Sequence, residues 1–155
     1  MARRIDKIAQ STGRKVSLVG WSLGGVIARE AARRDPQAVR QVISIGSPFS
    51  GNPHANHVGS IYTWLSGNAV DSPEAMRRFA LGPKPLPMPS TAIYSRSDGV
   101  TAWENCMAQV DHQSENIEVH SSHFGMVMNT AVFRIVADRL AQPEDRWAPF
   151  QGAAL

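Results

Sequence analysis

A single cysteine, Cys106, stands in 155 residues. One thiol excludes an internal disulfide and any zinc site built on several cysteines. No apolar run reaches the roughly 18 residues of a membrane span, and the first ten residues lack the apolar core of a signal peptide. Stable membrane insertion is therefore not expected, and localisation is left open with the cytoplasm as the default. Charged residues make up 19% and the net charge is +3, with no basic stripe interleaved with aromatics, so nucleic acid is not an expected partner. There is no internal repeat. No set of histidines and carboxylates has metal-ligand spacing, so neither a metal nor another cofactor is expected. Against these absences, 43% apolar residues in a chain of this length can build the core of one ordinary globular domain.

One stretch organises the rest. Residues 16–25 read V-S-L-V-G-W-S-L-G-G, an apolar run that breaks into Gly20-Trp21-Ser22-Leu23-Gly24, with Gly25 following. The G-x-S-x-G spacing suits a serine on a sharp strand-to-helix turn, where a strained backbone makes the hydroxyl project from the sheet. The places two before and two after the serine are expected to crowd the turn, and Gly20 and Gly24 fill them. The competing reading is a glycine- and serine-rich turn without chemistry. Context favours the first. The residues before the turn are strand-like, and residues 24–34 carry Val26, Ile27, Ala28, Ala31 and Ala32 at helical spacing, closed by Asp35-Pro36.

Around this elbow, residues 2–10 read as a short helix with Ile5, Ile8 and Ala9 on one face. Residues 39–45 form a second strand, ended by Gly46-Ser47-Pro48, and strand, helix, strand implies parallel pairing with a right-handed crossover. Residues 49–89 change character. They hold a polar turn-prone start, a helix start at Ser72-Pro73-Glu74, and four prolines between Pro83 and Pro89 that make a stiff connection. So long an excursion between strands is expected to be a lid or substrate-facing cap, with Trp64, Met76 and Phe79 as its packing; the alternative is a surface excursion. Residues 91–95 and 116–120 are the third and fourth strands. A last helix over 129–141 places Val132, Phe133, Val136 and Leu140 on one side, and the tail from Gln142 reads as loose.

Three chemically able residues follow three different strands: Ser22, Asp98 and His123. In parallel α/β sheets such strand-end loops gather along one edge. Serine is a weak nucleophile that needs a base. A neutral imidazole can take its proton and pass it to a leaving group, and a carboxylate on the far ring nitrogen fixes the tautomer. His54, His57, His112 and His120 compete for the base, with His120 assigned to the strand itself. Asp71 and Asp111 compete for the acid. Ser47 and Ser50 also follow a strand but lack the glycine pair.

In V-S-L-V-G-W-S-L-G-G, I-Y-S-R-S-D-G-V and V-H-S-S-H-F-G-M the chain resembles the C-terminal part of an α/β-hydrolase of the lipase/esterase kind. The three stretches are similar to the family's nucleophile elbow, acid loop and histidine loop, in the family's order. The resemblance implies a partial α/β-hydrolase fold of about four mostly parallel strands with flanking helices. It also implies hydrolysis of a carboxylic ester or lipid through an acyl-enzyme on Ser22, with the backbone N–H of Leu23 as one oxyanion donor. Acyl transfer or thioester hydrolysis would use the same groups. Trp21, where many lipases carry histidine, and Phe49 are the expected substrate contacts.

The departure from the family lies before the elbow. Members have several strands there, and a second oxyanion donor in one of the intervening loops. Here only the residues up to Lys15 precede the nucleophile strand. The strand carrying Val16 and Val19 is then expected to present an open apolar edge, a template for further pairing. Two expectations follow and stay open: a domain incomplete on its N-terminal side, or an edge covered by self-association or by a partner. The corresponding alternative function is a catalytically impaired chain, or a partner-dependent binding module, lacking half of the oxyanion hole.

Overall fold

The computed structural model describes residues 2–50 and 80–152. The expected helix start at Ser72 and the bulk of the expected lid, with His54, His57, Trp64, Asp71, Met76 and Phe79, lie outside the described residues.

Helix α1 (Ala2–Thr12) leads to strand β1 (Val16–Trp21), helix α2 (Leu23–Arg34) and strand β2 (Val39–Ile45). Strands β3 (Ser90–Tyr94) and β4 (Ser114–Glu118) and the C-terminal helix α3 (Thr130–Ala141) follow, with short 3₁₀ turns at Trp103–Cys106 and Gly125–Met128. The four strands form one parallel sheet in the order β1-β2-β3-β4. This is a partial α/β-hydrolase fold. Side chains alternate between the two faces as a strand requires. Leu18 and Val42 join Ile5, Ala28, Ala32, Leu86 and Met88 in a core beneath α1 and α2. Ile43, Ile45, Ile93 and Ile117 meet Met126, Val132 and Ile135 beneath α3. The inner strands β2 and β3 are buried along almost their whole length because both of their faces are covered, whereas Val19 on the edge strand β1 is 45% exposed.

Four details depart from the sequence reading. The fourth strand ends at Glu118, so His120 lies beyond it, exposed, with its Nδ1 3.0 Å from Ser97 Oγ. In α3 the buried positions are Val132, Ile135 and Arg139, while Phe133 and Leu140 face outward. The charge of Arg139 is what turns the helix: its guanidinium is buried against Glu115 at 2.8 Å, Asp138 and the Ala148 carbonyl, a set of acceptors that makes burial of the cation tolerable. The tail is likewise tied down. Phe150 donates its N–H to Glu115 at 2.8 Å, and its ring packs on the core under α3. The fourth correction concerns the elbow glycines and is given below.

The proline-bearing stretch before β3 is fixed by arginines of α2. Arg33 donates to the carbonyls of Leu81, Gly82, Lys84 and Pro85, and Arg29 to those of Gly82 and Lys84. Prolines bring carbonyls without N–H groups, so such a segment needs outside donors, and the guanidinium fork supplies them.

Candidate active site

Ser22 sits between β1 and α2 with φ 53° and ψ −126°, the one non-glycine residue with positive φ among the described residues. The strain is held by bonds on either side: Ser22 N–H donates to the Ile45 carbonyl at 2.8 Å, and the Ser22 carbonyl accepts from Gly25 at 3.1 Å. Packing shows which glycines the turn demands. A Cβ on Gly20 would lie 2.4 Å from the backbone of Gly24 and Gly25, and one on Gly25 would lie 2.1 Å from Ser47 Oγ. A Cβ on Gly24 would meet nothing within 4 Å, so the expectation that Gly24 crowds the turn is corrected: the second tight position is Gly25. A Cβ at Gly25 would point at Ser47, just past the end of β2.

Asp98 and His123 arrive from the loops after β3 and β4. His123 Nδ1 is 2.7 Å from Asp98 Oδ2, and His123 Nε2 is 3.1 Å from Ser22 Oγ. All three side chains are buried, at 4%, 3% and 9% exposure for Asp98, His123 and Ser22. The other oxygen of Asp98 accepts the backbone N–H groups of Val100 at 2.9 Å and Thr101 at 2.6 Å, and the Asp98 carbonyl accepts His123 N–H at 3.0 Å. Burial pushes the Asp98 carboxyl up, but the hydrogen bonds from His123, Thr101 and Val100 outweigh it and hold the group below its ordinary 3.8. An ionised carboxylate only accepts, so His123 donates from Nδ1 and presents the lone pair of Nε2 to the Ser22 hydroxyl. Gly46, at φ 52°, closes the far side; a Cβ there would lie 3.3 Å from Asp98 Oδ2.

An aromatic bracket holds the histidine. Trp21 donates its indole N–H to the His123 carbonyl at 3.2 Å, with the two rings 5.2 Å apart, and Phe124 stands edge-on to both. Phe124 is 68% exposed, so an apolar surface opens to solvent beside the imidazole.

Residues 1–89, more than half of the chain, match the family described as alpha/beta hydrolase fold. The chain belongs to the alpha/beta hydrolase fold family. Solved structures agree with this at low identity. The mature form of the Bacillus licheniformis lipase BlEst2 is 18% identical, with a TM-score of 0.63 over 90% of this chain and 71% of that one. MGS-MChE2, an alpha/beta hydrolase enzyme from a lagoon-sediment metagenome of Mar Chica, Morocco, is 20% identical, with a TM-score of 0.56 over 90% and 67%. The Paleococcus ferrophilus monoacylglycerol lipase is 14% identical, with a TM-score of 0.54 over 77% and 64%. At these identities the likeness shows the fold. A comparison with curated proteins finds no match.

Within this hydrolase fold none of the remaining candidates has a hydrogen bond to Ser22, Asp98 or His123 among those of the described residues. His112 is 83% exposed on its side chain, 4.0 Å from Asp111. Asp111 accepts from Gln113 N–H and Ser114 Oγ, closing the turn into β4. Ser47 donates to the Ile45 carbonyl, and Ser50 to that of Glu104. Phe49 is 2% exposed, with the Arg29 guanidinium carbon 4.0 Å from its ring centre. Cys106 is a core thiol, pushed by burial up to about 12, with Thr101 Oγ1 3.5 Å from its sulfur. Among the described residues no three histidine, cysteine or acidic side chains lie together so as to hold a metal, and no helix is long and apolar enough to cross a membrane.

Sequence reasoning missed Ser95, which joins the two loops that carry Asp98 and His123. It was read as the last residue of the third strand, which in the structure ends at Tyr94.

Proposed function

We propose that the chain is a serine hydrolase acting on carboxylic esters or lipids through an acyl-enzyme on Ser22. The observation that carries this is the chain of contacts from the buried Asp98 carboxylate through His123 to the Ser22 hydroxyl, 2.7 Å and 3.1 Å long. His123 Nε2 takes the hydroxyl proton as Ser22 Oγ bonds to the acyl carbon. The tetrahedral intermediate collapses, the carbon–oxygen bond to the alcohol breaks, and His123 returns the proton to the leaving oxygen. Water then repeats the sequence on the acyl-enzyme: His123 takes its proton, the acid departs, and Ser22 recovers its hydrogen. Asp98 holds the ring and stabilises the imidazolium. The N–H of Leu23, first in α2, faces the developing oxyanion at the positive end of the helix.

The substrate class rests on two supports. An apolar surface formed by Phe124 and Trp21 lies beside the imidazole. The solved structures similar in fold include a lipase and a monoacylglycerol lipase. The test is covalent: a fluorophosphonate probe should modify Ser22 in the wild-type chain and leave Ser22→Ala unmodified. Equal labelling of the two would overturn the proposal.

The second element of the proposal concerns β1. Among the described residues it ends the sheet, and it carries no charge or proline from Val16 to Trp21, so it can accept a further strand from a second copy or a partner. Should the edge need such a partner for Ser22 to hold its place, the chain alone is catalytically impaired.

A further inference from the structure

Ser95 is the first residue after β3, and it is 1% exposed. Its hydroxyl donates to the Ser121 carbonyl at 2.7 Å and accepts the N–H groups of Ser121 and Ser97, each at 3.1 Å. One donor and two lone pairs are the whole hydrogen-bonding capacity of a serine side chain, and all of it is used. The bonds have a direction. Ser97 immediately precedes Asp98, and Ser121 lies two residues before His123. The Ser95 carbonyl also accepts Asp98 N–H, at 3.3 Å. The strand ladder last joins β3 to the β4 segment where Val119 N–H meets the Tyr94 carbonyl at 2.9 Å. Beyond that point the two loops are joined by the Ser95 hydroxyl, by Ser97 Oγ with His120 Nδ1 at 3.0 Å and by His123 N–H on the Asp98 carbonyl at 3.0 Å; of these groups the Ser95 hydroxyl is the buried side chain that bonds into both loops.

We infer that Ser95 is a positioning residue for the proposed hydrolase, a buried hydroxyl that pins the acid loop to the histidine loop and thereby sets the contact between Asp98 and His123. The inference rests on the reading of Ser22, Asp98 and His123 as the reacting set, but the positioning itself is a property of the fold. The residue touches no reacting atom. It acts through the backbone of Ser97 and Ser121. Without the hydroxyl, the loops keep the bond from His123 N–H to the Asp98 carbonyl but lose three bonds at a buried junction; a misalignment of a fraction of an ångström slows a reaction by about 10- to 100-fold.

The test compares wild type with Ser95→Ala by two readouts on the whole chain. The first is the downfield proton resonance of the His123 Nδ1–H, assigned by its loss in His123→Ala. This signal reports the contact with Asp98 whether or not the chain is an enzyme. The second is the rate of fluorophosphonate labelling of Ser22 across pH, per folded molecule. Ser95→Ala is expected to move the resonance upfield and to slow labelling about 10-fold or more. The acidic limb of the pH profile should move to lower pH, because a carboxylate held farther off stabilises the imidazolium less. Ser95→Thr keeps the hydroxyl and should stay close to wild type. Unchanged resonance and unchanged labelling profile in a folded Ser95→Ala would overturn the inference, as would a Ser95→Thr as impaired as the alanine variant. If Ser95→Ala fails to fold, Ser95→Cys, whose thiol fills the space with much weaker hydrogen bonds, takes its place with the same two outcomes. A wild type that shows the resonance but no labelling would count against the proposed hydrolysis and leave the resonance comparison to decide on Ser95.

Discussion

Trp21 Nε1 donates to the carbonyl of His123 at 3.2 Å, across 102 residues of sequence. The residue beside the nucleophile therefore holds the backbone of the base, and its ring lies against the imidazole it helps to place. A side chain expected to touch substrate is also part of the support for the histidine loop.

Trp21→Phe should separate these roles. It keeps an aromatic ring and removes one hydrogen bond to a partly buried carbonyl, a loss of about 1 kcal/mol in unfolding free energy. Labelling of Ser22 should slow. In ester turnover the effect is expected in kcat with KM little changed. A rise in KM alone, with kcat intact, would mean that Trp21 serves substrate binding only.

The elbow glycines should rank by their surroundings and not by the motif. Gly20→Ala drives a Cβ into backbone atoms at 2.4 Å, and should cost about 3 kcal/mol or more or prevent folding. Gly25→Ala meets the Ser47 hydroxyl at 2.1 Å, and behind it Ser47 Cβ at 2.8 Å and the Gly20 carbonyl oxygen at 2.9 Å, so it should also destabilise, though less than Gly20→Ala, whose close contacts at 2.4 Å are all with backbone. Gly24→Ala meets nothing within 4 Å and lies in α2, where alanine is the better helix former; it should be neutral or stabilising by up to about 1 kcal/mol. Urea denaturation of the three variants checks the order, and a Gly24→Ala as damaging as Gly20→Ala would contradict the packing described.

Asp98 sets a dependence on acid. Its folded-state pKa lies below the ordinary 3.8, so the unfolded chain takes up this proton first as pH falls. The stability it contributes is in place above 3.8 and is lost as pH drops through the lower, folded value. Unfolding free energies of wild type and Asp98→Asn should differ most near neutrality and converge below that range. A difference that stays constant down to strong acid would show that the Asp98 charge is not what stabilises the fold.

The edge of β1 gives a prediction about association. Val19, 45% exposed on an uncharged end strand, should favour pairing between copies as concentration rises. Val19→Lys should shift the chain toward monomer in sedimentation velocity while leaving its circular dichroism unchanged. A wild type monomeric at all concentrations would rule out self-pairing at this edge.

The sequence by itself determined the elbow, the parallel strand–helix–strand unit and the order of Ser22, Asp98 and His123, since each is written in neighbouring residues: an apolar run, a glycine spacing, a polar residue just past a strand. Strand register in the β4 region was read two residues late, because S-E-N-I-E mixes polar residues into a strand whose pairing with β3 decides its ends. Tertiary structure alone decided the rest. It selected Gly25 over Gly24 as the tight position, turned α3 so that Arg139 rather than Leu140 is buried, and bound the tail to Glu115. It also drew Trp21 onto His123 and closed the Ser95 hydroxyl on Ser121, 26 residues away. These outcomes depend on which groups meet across the sheet edge, and a contact between distant residues leaves no periodic mark on either of the segments that make it.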